Sequence, residues 1–420
     1  MTLFIVPGKC EGSILRRLRY CSMNELNDLD AFMKPIHSLL FLILGWSLTI
    51  EFAQAKKHKR TWDYPLFYYQ RYEVPGSEDF QKFDFNLRTD GDVEKEFANN
   101  KETGVIGYLL YQNGQVVVDR SDIPTIWEGD FIYQDVLPSH SMGKSLVSYV
   151  AGHAICEGYI GSVNDTLAGW ETVENTLFEN QVLIDLLNMQ AGDDNYVGER
   201  IRPKRDNILK KNPKVNVNTV HLDDLMDQHF QNTKPKKPAF NAKTPKYNYS
   251  ALTTNVIMNY VIHRSGDDWE KLLHKVFNEH VKVKDKVYFL KTLPQGQLRE
   301  GTGRYSFYAG RYDFLRIALA MLNDWKNDTC AGKYLKMLHQ QRIKKSDGVK
   351  EPDDVGLYTK SYGGQFHFDV YGLEDRTIIG LSGFAGQQIL IDVDNDRIIV
   401  VNSTYKNYDW EKIVYDKIQG

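Results

Sequence analysis

The chain has 420 residues, of which 42% are hydrophobic and 25% are charged, and 52 basic side chains nearly balance 55 acidic ones. The formal net charge of -3 argues against a dedicated nucleic-acid-binding protein, because such proteins usually carry a strongly basic surface. An aromatic content of 12% argues against intrinsic disorder, since this composition can bury a large apolar core.

Four cysteines are present, Cys10, Cys21, Cys156 and Cys330. They are too few for a disulfide-rich scaffold, and their spacing matches no zinc motif. Whether Cys156 and Cys330 form a bond with each other stays open from the sequence.

A long apolar run, IHSLLFLILGWSLTI, occupies residues 36–50. Met33 and a lysine precede it, and Ala53 and Ala55 follow it with small-x-small spacing, which is the pattern of a secretory signal peptide. We therefore predict a signal peptide at residues 33–55 and a periplasmic or secreted location. An uncleaved membrane anchor is one alternative, although a spanning helix needs about 20 apolar residues, and a buried core helix is another.

Residues 1–32 have no place in a signal peptide that begins at Met33. We expect either that these residues are a non-structural extension or that translation begins at Met33. After cleavage we expect no stable membrane span.

In residues 56–100, polar and aromatic residues alternate without a clear period. This pattern predicts an irregular N-terminal arm.

Regular structure is predicted from about residue 101 onward. The runs GVIGYLLYQ and QVVVDR flank Asn113-Gly114, a dipeptide typical of a tight β-hairpin turn. From Ser141 apolar residues recur at helical spacing, and Gly158 offers a helix end.

The region of about 155–340 is mainly helical in pattern, whereas the end of the chain returns to strands in GQFHFDVYG, QQILIDVD and RIIVVNST. We therefore predict an α/β (α+β) fold: an antiparallel sheet built from both chain ends, flanked by helices, with a mainly helical region inserted. A basic insertion at about 200–246 carries twelve basic and four acidic residues. It is either a solvated surface segment or a binding surface for an anionic substrate or envelope polymer.

Ser141 and Lys144 place a hydroxyl and an amine on one face of the first turn of the predicted helix. This arrangement suits acyl transfer, because a neutral lysine can take the serine proton. An ordinary lysine is almost wholly protonated at neutral pH, so burial, the helix N-terminus and neighbouring groups must favour its neutral form. Ser403 and Lys406 have the same spacing but follow a strand, where such positions face opposite ways, and we expect this second copy to be inert.

Several segments in chain order resemble one enzyme family. The stretch SHSMGKSLVSYVAGHAICEGYIGSVNDTL is similar to the nucleophile helix of the β-lactamase and penicillin-binding-protein superfamily of serine hydrolases. VLIDLLNMQAGDD resembles its LLxMxSG segment, YNYSALTTNVIMNYVIHRSG its second motif, and LSGFAGQQILIDVDNDRIIVV its third motif and final hairpin. The resemblance is to class C-like members, the esterase and 6-aminohexanoate-dimer hydrolase type. It covers about residues 104–405 and implies a β-lactamase/transpeptidase-like hydrolase domain at 101–420.

The resemblance implies roles for four residues. Ser141 would be the nucleophile, Lys144 its base, and Tyr249 the proton shuttle to the leaving group. Backbone N–H groups of Ser141 and Phe384 would hold the oxyanion, Phe384 directly following the third motif, Leu381-Ser382-Gly383. This chemistry requires no metal and no cofactor.

Two positions depart from the family pattern. Leu381 stands where a Lys, His or Arg usually meets the substrate's carboxylate, which argues against penicillins unless Arg376 or the basic insertion substitutes. Ala251 stands where an Asn or Ser usually makes a polar contact, a loss that an amidase would feel more than an esterase. Tyr196 and Gln387 are candidate cleft-lining residues, with simple packing roles as the alternative.

Three functions follow from this set of residues. The leading one is a secreted serine hydrolase that forms an acyl-enzyme on Ser141 and cleaves a small ester, amide or peptide-like substrate. The second is a penicillin-interactive D,D-carboxypeptidase or β-lactamase. The third is a non-catalytic envelope-binding protein on the same fold. No nucleic-acid partner is expected.

Overall fold

The structure is a computed structural model, and it describes residues 70–122, 136–193, 196, 221–234, 247–291, 303–345 and 358–420. They belong to one compact unit, Tyr64–Gly420. The expected extension and signal peptide lie outside the described residues, as does most of the basic insertion. Among the residues described, no helix has the length and apolarity that crossing a membrane requires.

The described residues contain thirteen strands. In chain order they are β1 (Arg71–Val74), β2 (Asp84–Phe85), β3 (Val105–Gln112), β4 (Gln115–Ser121), β5 (Val136–Pro138), β6 (Val287–Leu290), β7 (Phe307–Gly310), β8 (Ile343–Lys344), β9 (Thr359–Gly363), β10 (Phe366–Val370), β11 (Ile378–Gly383), β12 (Gln387–Asp392) and β13 (Arg397–Ser403).

Ten α-helices are described as well. They are α1 (Gly91–Ala98), α2 (Asn100–Thr103), α3 (Met142–Cys156), α4 (Leu183–Leu187), α5 (Leu222–Leu225), α6 (Ala251–Ser265), α7 (Trp269–His274), α8 (Arg311–Lys326), α9 (Cys330–Gln340) and α10 (Asp416–Gln419). Short 3₁₀ turns lie at Glu171–Val173, Gly266–Asp268 and Phe384–Gly386, and π-helical segments at Met226–Phe230, Lys275–His280 and Glu411–Tyr415.

The main sheet has nine strands in the order β2-β4-β3-β13-β12-β11-β10-β9-β8. Its centre joins the two ends of the chain, because β3 pairs antiparallel with β13. The β3–β4 turn is the predicted hairpin, with Asn113 at φ 51° and Gly114 at φ 86°, both in the left-handed region that such a turn needs. The predicted sheet built from both chain ends is confirmed.

Both faces of this sheet are covered, since successive residues of β3, β12 and β13 are buried. On one face, Phe97 of α1 and Ile413 and Ile418 near the C-terminus pack against the strands in a single apolar cluster. The Tyr108 hydroxyl ties this layer to the sheet by donating to the Ile413 carbonyl at 2.8 Å. Helix α3 packs on β11 and β12, and α8 on β3, β12 and β13.

A second, four-stranded antiparallel sheet has the order β1-β6-β7-β5. Its first strand corrects an expectation, because residues within the predicted irregular arm form β1, β2 and α1. The partner of β1 is β6, more than 200 residues later, so neither short strand has a local signal in the sequence. Strands β6 and β7 likewise interrupt the region that we expected to be mainly helical.

Cys156 and Cys330 form a disulfide bond. The bond joins the last residue of α3 to the first residue of α9 across a sequence separation of 174. The question that the sequence left open is thus answered, and the far end of α3 is covalently tied to its neighbour.

Candidate active site

Ser141 begins the first turn of α3, directly after a tight connection from β5. Ser139 anchors this connection, since its N–H donates to the Phe307 carbonyl at 2.8 Å and its hydroxyl accepts the Phe307 N–H at 3.2 Å. His140 has a φ of 47°, a left-handed conformation that is strained for a residue with a side chain. The strained turn sets Ser141 at the helix N-terminus, where backbone N–H groups provide partial positive charge.

Lys144 lies one helical turn further on, and its Nζ is 3.0 Å from the Ser141 Oγ. The lysine is only 2% exposed. Burial removes the hydration that stabilises an ammonium ion, which favours the neutral amine. A neutral amine at this distance can accept the proton of the serine hydroxyl.

Two tyrosine rings surround the same amine. The Lys144 Nζ is 4.6 Å from the ring centroid of Tyr249 and 4.0 Å from that of Tyr305. The predicted Ser-Lys pair and the predicted tyrosine are therefore brought together by the fold, and Tyr305 joins them.

Tyr249 is positioned by the start of α6. The next residue, Ser250, caps this helix by accepting the Thr253 N–H at 3.4 Å, and it donates its own hydroxyl to Asp193 Oδ2 at 2.5 Å. The Thr253 hydroxyl donates to the same carboxylate oxygen at 3.2 Å. These buried contacts hold the backbone on the C-terminal side of Tyr249.

The third motif lies at the end of β11 and packs against the turn before Ser141. A Cβ added to Gly383 would lie 2.5 Å from the Ser139 carbonyl oxygen, so only glycine lets this strand approach the turn before Ser141. The next residue, Phe384, contacts the His140 ring edge-on, with centroids 5.8 Å apart. The backbone segments that carry the two expected oxyanion donors, Ser141 and Phe384, are thus adjacent.

Solved structures share this architecture over most of their length. The chain is similar to a proposed 6-aminohexanoate-dimer hydrolase from Bacillus anthracis, with a TM-score of 0.56 and 14% identity over 85% of this chain and 91% of that chain. It is also similar to a class C β-lactamase from Rhodobacter sphaeroides (TM-score 0.53, 12% identity, 79% and 99% of the two chains) and to a penicillin-binding protein from Bacillus halodurans (0.55, 13%, 79% and 100%). No protein-family model and no curated protein matches the sequence.

The chain has the β-lactamase/penicillin-binding-protein fold. The expected resemblance and the expected fold class are confirmed. At identities of 12–14%, the likeness concerns the fold, so what the site does must be argued from its own residues.

The two departures from the family pattern have clear positions in this fold. Leu381 is fully buried, so it offers no charge or hydrogen bond to a ligand. Ala251 is the first residue of α6 and is 4% exposed. Ser382, between Leu381 and Gly383, is buried at 2%. The third motif therefore brings backbone close to the turn before Ser141 and carries no cationic side chain.

A further amine lies close to the candidate site. Lys345 Nζ is 3.0 Å from Nδ1 of His367 and donates to the Thr359 hydroxyl at 2.7 Å. Burial, together with the charge of Lys345, holds the pKa of His367 well below its usual range. Burial is the main reason that the pKa of His140 is lowered to about 4. Both imidazoles are therefore neutral at pH 7.

Three other candidates have structural partners away from this cluster. The Tyr196 ring packs on Phe230 with centroids 5.7 Å apart, and its hydroxyl donates to the Lys234 carbonyl. Gln387 is fully buried and bonds to Asn402 and to the Ser403 carbonyl, within the sheet.

Arg376 pairs with the buried Asp392 and donates to the carbonyls of Ile418 and Gln419. These contacts engage Nη1 and Nη2 of the guanidinium, and Arg376 lies before β11, whereas Leu381 lies near the other end of that strand. In the second Ser-x-x-Lys copy, the Ser403 hydroxyl donates to the Tyr405 carbonyl at 2.6 Å.

Sequence reasoning missed Tyr305, Tyr362, His367 and Lys345. Tyr362 contacts Tyr249 edge-on with centroids 6.3 Å apart, and His367 with centroids 5.0 Å apart. No motif marks these residues, because each reaches the site only through sheet pairing or a long-range loop.

Proposed function

We propose that the protein is a serine hydrolase that forms an acyl-enzyme on Ser141. The observation that carries this proposal is the 3.0 Å separation between the Ser141 Oγ and the buried Lys144 Nζ. A hydroxyl beside a buried amine is the arrangement of an activated nucleophile. The tyrosine rings beside the amine support the same reading.

Acylation follows from this geometry. The neutral amine of Lys144 takes the Ser141 proton while the oxygen bonds to the substrate's carbonyl carbon. The backbone N–H groups of Ser141 and Phe384 stabilise the resulting oxyanion, a contribution worth about 100- to 1000-fold in rate for each donor. As the bond between the carbonyl carbon and the leaving group breaks, the Tyr249 hydroxyl donates its proton to the leaving alcohol or amine and takes up the proton that Lys144 removed from Ser141, so Lys144 is neutral again for deacylation.

Deacylation repeats these steps with water as the nucleophile. Water gives up a proton to Lys144 or Tyr249, its oxygen attacks the acyl carbon, and Ser141 leaves with a proton. No step requires a metal or a cofactor.

The surroundings favour a small, uncharged ester or amide. Leu381 brings no cation to the cleft, and Ala251 brings no polar side chain. Among ester and amide substrates we favour esters, because their better leaving groups depend less on the missing contact at Ala251.

A penicillin-like or D-alanyl peptide substrate is a second candidate. The observation in its favour is the Lys345–His367 pair, which sets a second amine near Lys144 and could pair with a substrate carboxylate. This pair would take over the role of the missing cation at Leu381.

We also propose that the protein is exported. The Cys156–Cys330 bond supports this, since disulfides persist mainly in oxidising compartments. The predicted signal peptide at residues 33–55 is consistent with a periplasmic or secreted location.

The test is turnover of a chromogenic short-chain ester by the purified protein. We expect acyl transfer that Ser141→Ala abolishes, whereas Ser403→Ala, in the second Ser-x-x-Lys copy, leaves the rate unchanged. Covalent capture of a fluorescent penicillin on Ser141 would instead favour the second candidate. Folded protein that turns over neither substrate yet binds a ligand equally well with Lys144→Ala would point to a non-catalytic binding protein.

A further inference from the structure

A second cluster of chemically active side chains lies at the other end of the nucleophile helix. It consists of His153 on α3, His280 at the end of the π-helical segment 275–280, and Asp324 on α8. His153 follows Ser141 by twelve residues, which is about 18 Å along a helix. The cluster is therefore separate from the proposed catalytic site.

The three side chains converge on one point. One ring nitrogen of each histidine and one carboxylate oxygen all lie within 4.8 Å of one another. His280 Nε2 is 3.0 Å from Asp324 Oδ2, and the two imidazole centroids are 4.9 Å apart. Ligands of a tetrahedral Zn²⁺ at 2.0–2.2 Å lie about 3.4 Å apart, so small side-chain rotations would complete such a site.

One buried atom in this cluster lacks a protein partner. Nε2 of His153 makes no hydrogen bond, although it is shielded from solvent. A buried polar atom without a partner is costly, and such atoms are rare in folded proteins.

Outer contacts orient the carboxylate. The Tyr149 hydroxyl donates to Asp324 Oδ2 at 2.5 Å, and the Thr329 hydroxyl donates to Oδ1 at 2.7 Å. Such contacts are typical of the groups that hold metal ligands in place. His280 is 35% exposed, so an ion and a coordinating water can reach the cluster from solvent.

We propose that His153, His280 and Asp324 bind a single Zn²⁺ ion, with water as the fourth ligand. The ion would tie α3 to α8 and to the segment 275–280. The Cys156–Cys330 bond, which begins three residues after His153, ties the same end of α3 to α9. The site does not depend on the proposed hydrolase activity.

The test is calorimetric titration of Zn²⁺ into chelator-treated, full-length protein, with thermal melting measured in parallel. We expect one Zn²⁺ per chain, a higher melting temperature with zinc, and the visible spectrum of tetrahedral cobalt when Co²⁺ replaces it. His280→Ala and His153→Ala should each weaken zinc binding at least tenfold. The matched control is His274→Ala, an exposed histidine on the preceding helix, which should bind zinc like the parent.

Because His280 is partly exposed, its variant keeps the test valid even if the buried His153 variant fails to fold. Folded parent protein that binds no zinc would overturn the proposal. So would zinc binding that survives His280→Ala unchanged. Ester turnover is not part of the readout, so failure here says nothing against Ser141 as nucleophile.

Discussion

Lys144 is the side chain on which the proposed chemistry depends, because its amine meets the nucleophile and two aromatic rings at once. It is within 3.0 Å of the Ser141 hydroxyl and lies against Tyr249 and Tyr305. The rings exclude water from the amine, which strengthens electrostatic interactions inside the site.

Removing the Tyr249 hydroxyl tests the proton shuttle. Tyr249→Phe keeps the ring against Lys144 and Tyr362 but loses proton transfer to the leaving group, so kcat for ester turnover should fall about 100-fold or more. Tyr247→Phe is the matched control, since Tyr247 packs on the same Tyr362 ring, with centroids 5.2 Å apart. Equal rates for the two variants would remove Tyr249 from the mechanism.

Acid should destabilise the fold through His140. Its pKa is about 4 in the folded protein against 6.5 ordinarily, so the unfolded chain binds more protons between these values. The free energy of unfolding should therefore fall as the pH drops from about 6.5 to about 4, by at most about 3 kcal/mol from this residue. Denaturant unfolding as a function of pH measures the loss.

His140→Asn should remove that part of the acid sensitivity, because asparagine tolerates the left-handed φ of 47° and does not titrate. An unaltered acid profile in His140→Asn would show that this imidazole is not the cause.

Residue by residue, the sequence predicts what is local. Ser141 and Lys144 share one helical turn, and their proximity follows from helix geometry alone. Tyr249 needed the family resemblance, since more than 100 residues separate it from Ser141. Tyr305 and His367 could not be predicted, because their positions depend on strand pairings that no local pattern encodes.

Among the secondary-structure elements, α3 is tightly packed at its first turn. A Cβ added to Gly143 would lie 1.9 Å from the Tyr305 carbonyl oxygen and 2.9 Å from the Ser139 hydroxyl. At Gly143 the helix therefore packs directly against the backbone of the segment that carries Tyr305. The Ser139 side chain, in the turn before the helix, contacts the same residue.

Gly143→Ala should displace the Tyr305 segment from Lys144. Because a misplacement of about 1 Å can cost about 100-fold in rate, we expect ester turnover to fall by about that factor while the circular dichroism spectrum stays native. Gly91→Ala is the control, as a Cβ at this first residue of α1 meets nothing within 4 Å. Full activity in Gly143→Ala would show that this close packing does not position the site.

Long elements with a strong local pattern can be predicted well from the sequence. Short strands whose partners lie far away in the sequence cannot. Helix α8 and the β3–β4 hairpin follow from periodicity and from the Asn113-Gly114 turn. Strand β1 was missed because four residues with alternating burial are too short a signal, and their partner β6 is remote.

At the scale of the whole molecule, a disulfide bond adds a covalent link to the sheet that joins the two chain ends. The Cys156–Cys330 bond closes a loop of 174 residues, which by chain entropy contributes up to about 5 kcal/mol to the free energy of unfolding. Cys156→Ser and Cys330→Ser should each lower the melting temperature by several degrees or more. The double variant should lose no more than either single one, since both break the same bond. Melting temperatures equal to the parent's would contradict a stabilising role.

The most direct test of the account is peptide mapping of the full-length protein after reaction with a fluorophosphonate probe. We expect one adduct in the described region, on Ser141, and its loss in Lys144→Met, because the hydroxyl then has no base. Folded parent protein that acquires no adduct on Ser141, or that is labelled equally well with Lys144→Met, would contradict the central claim.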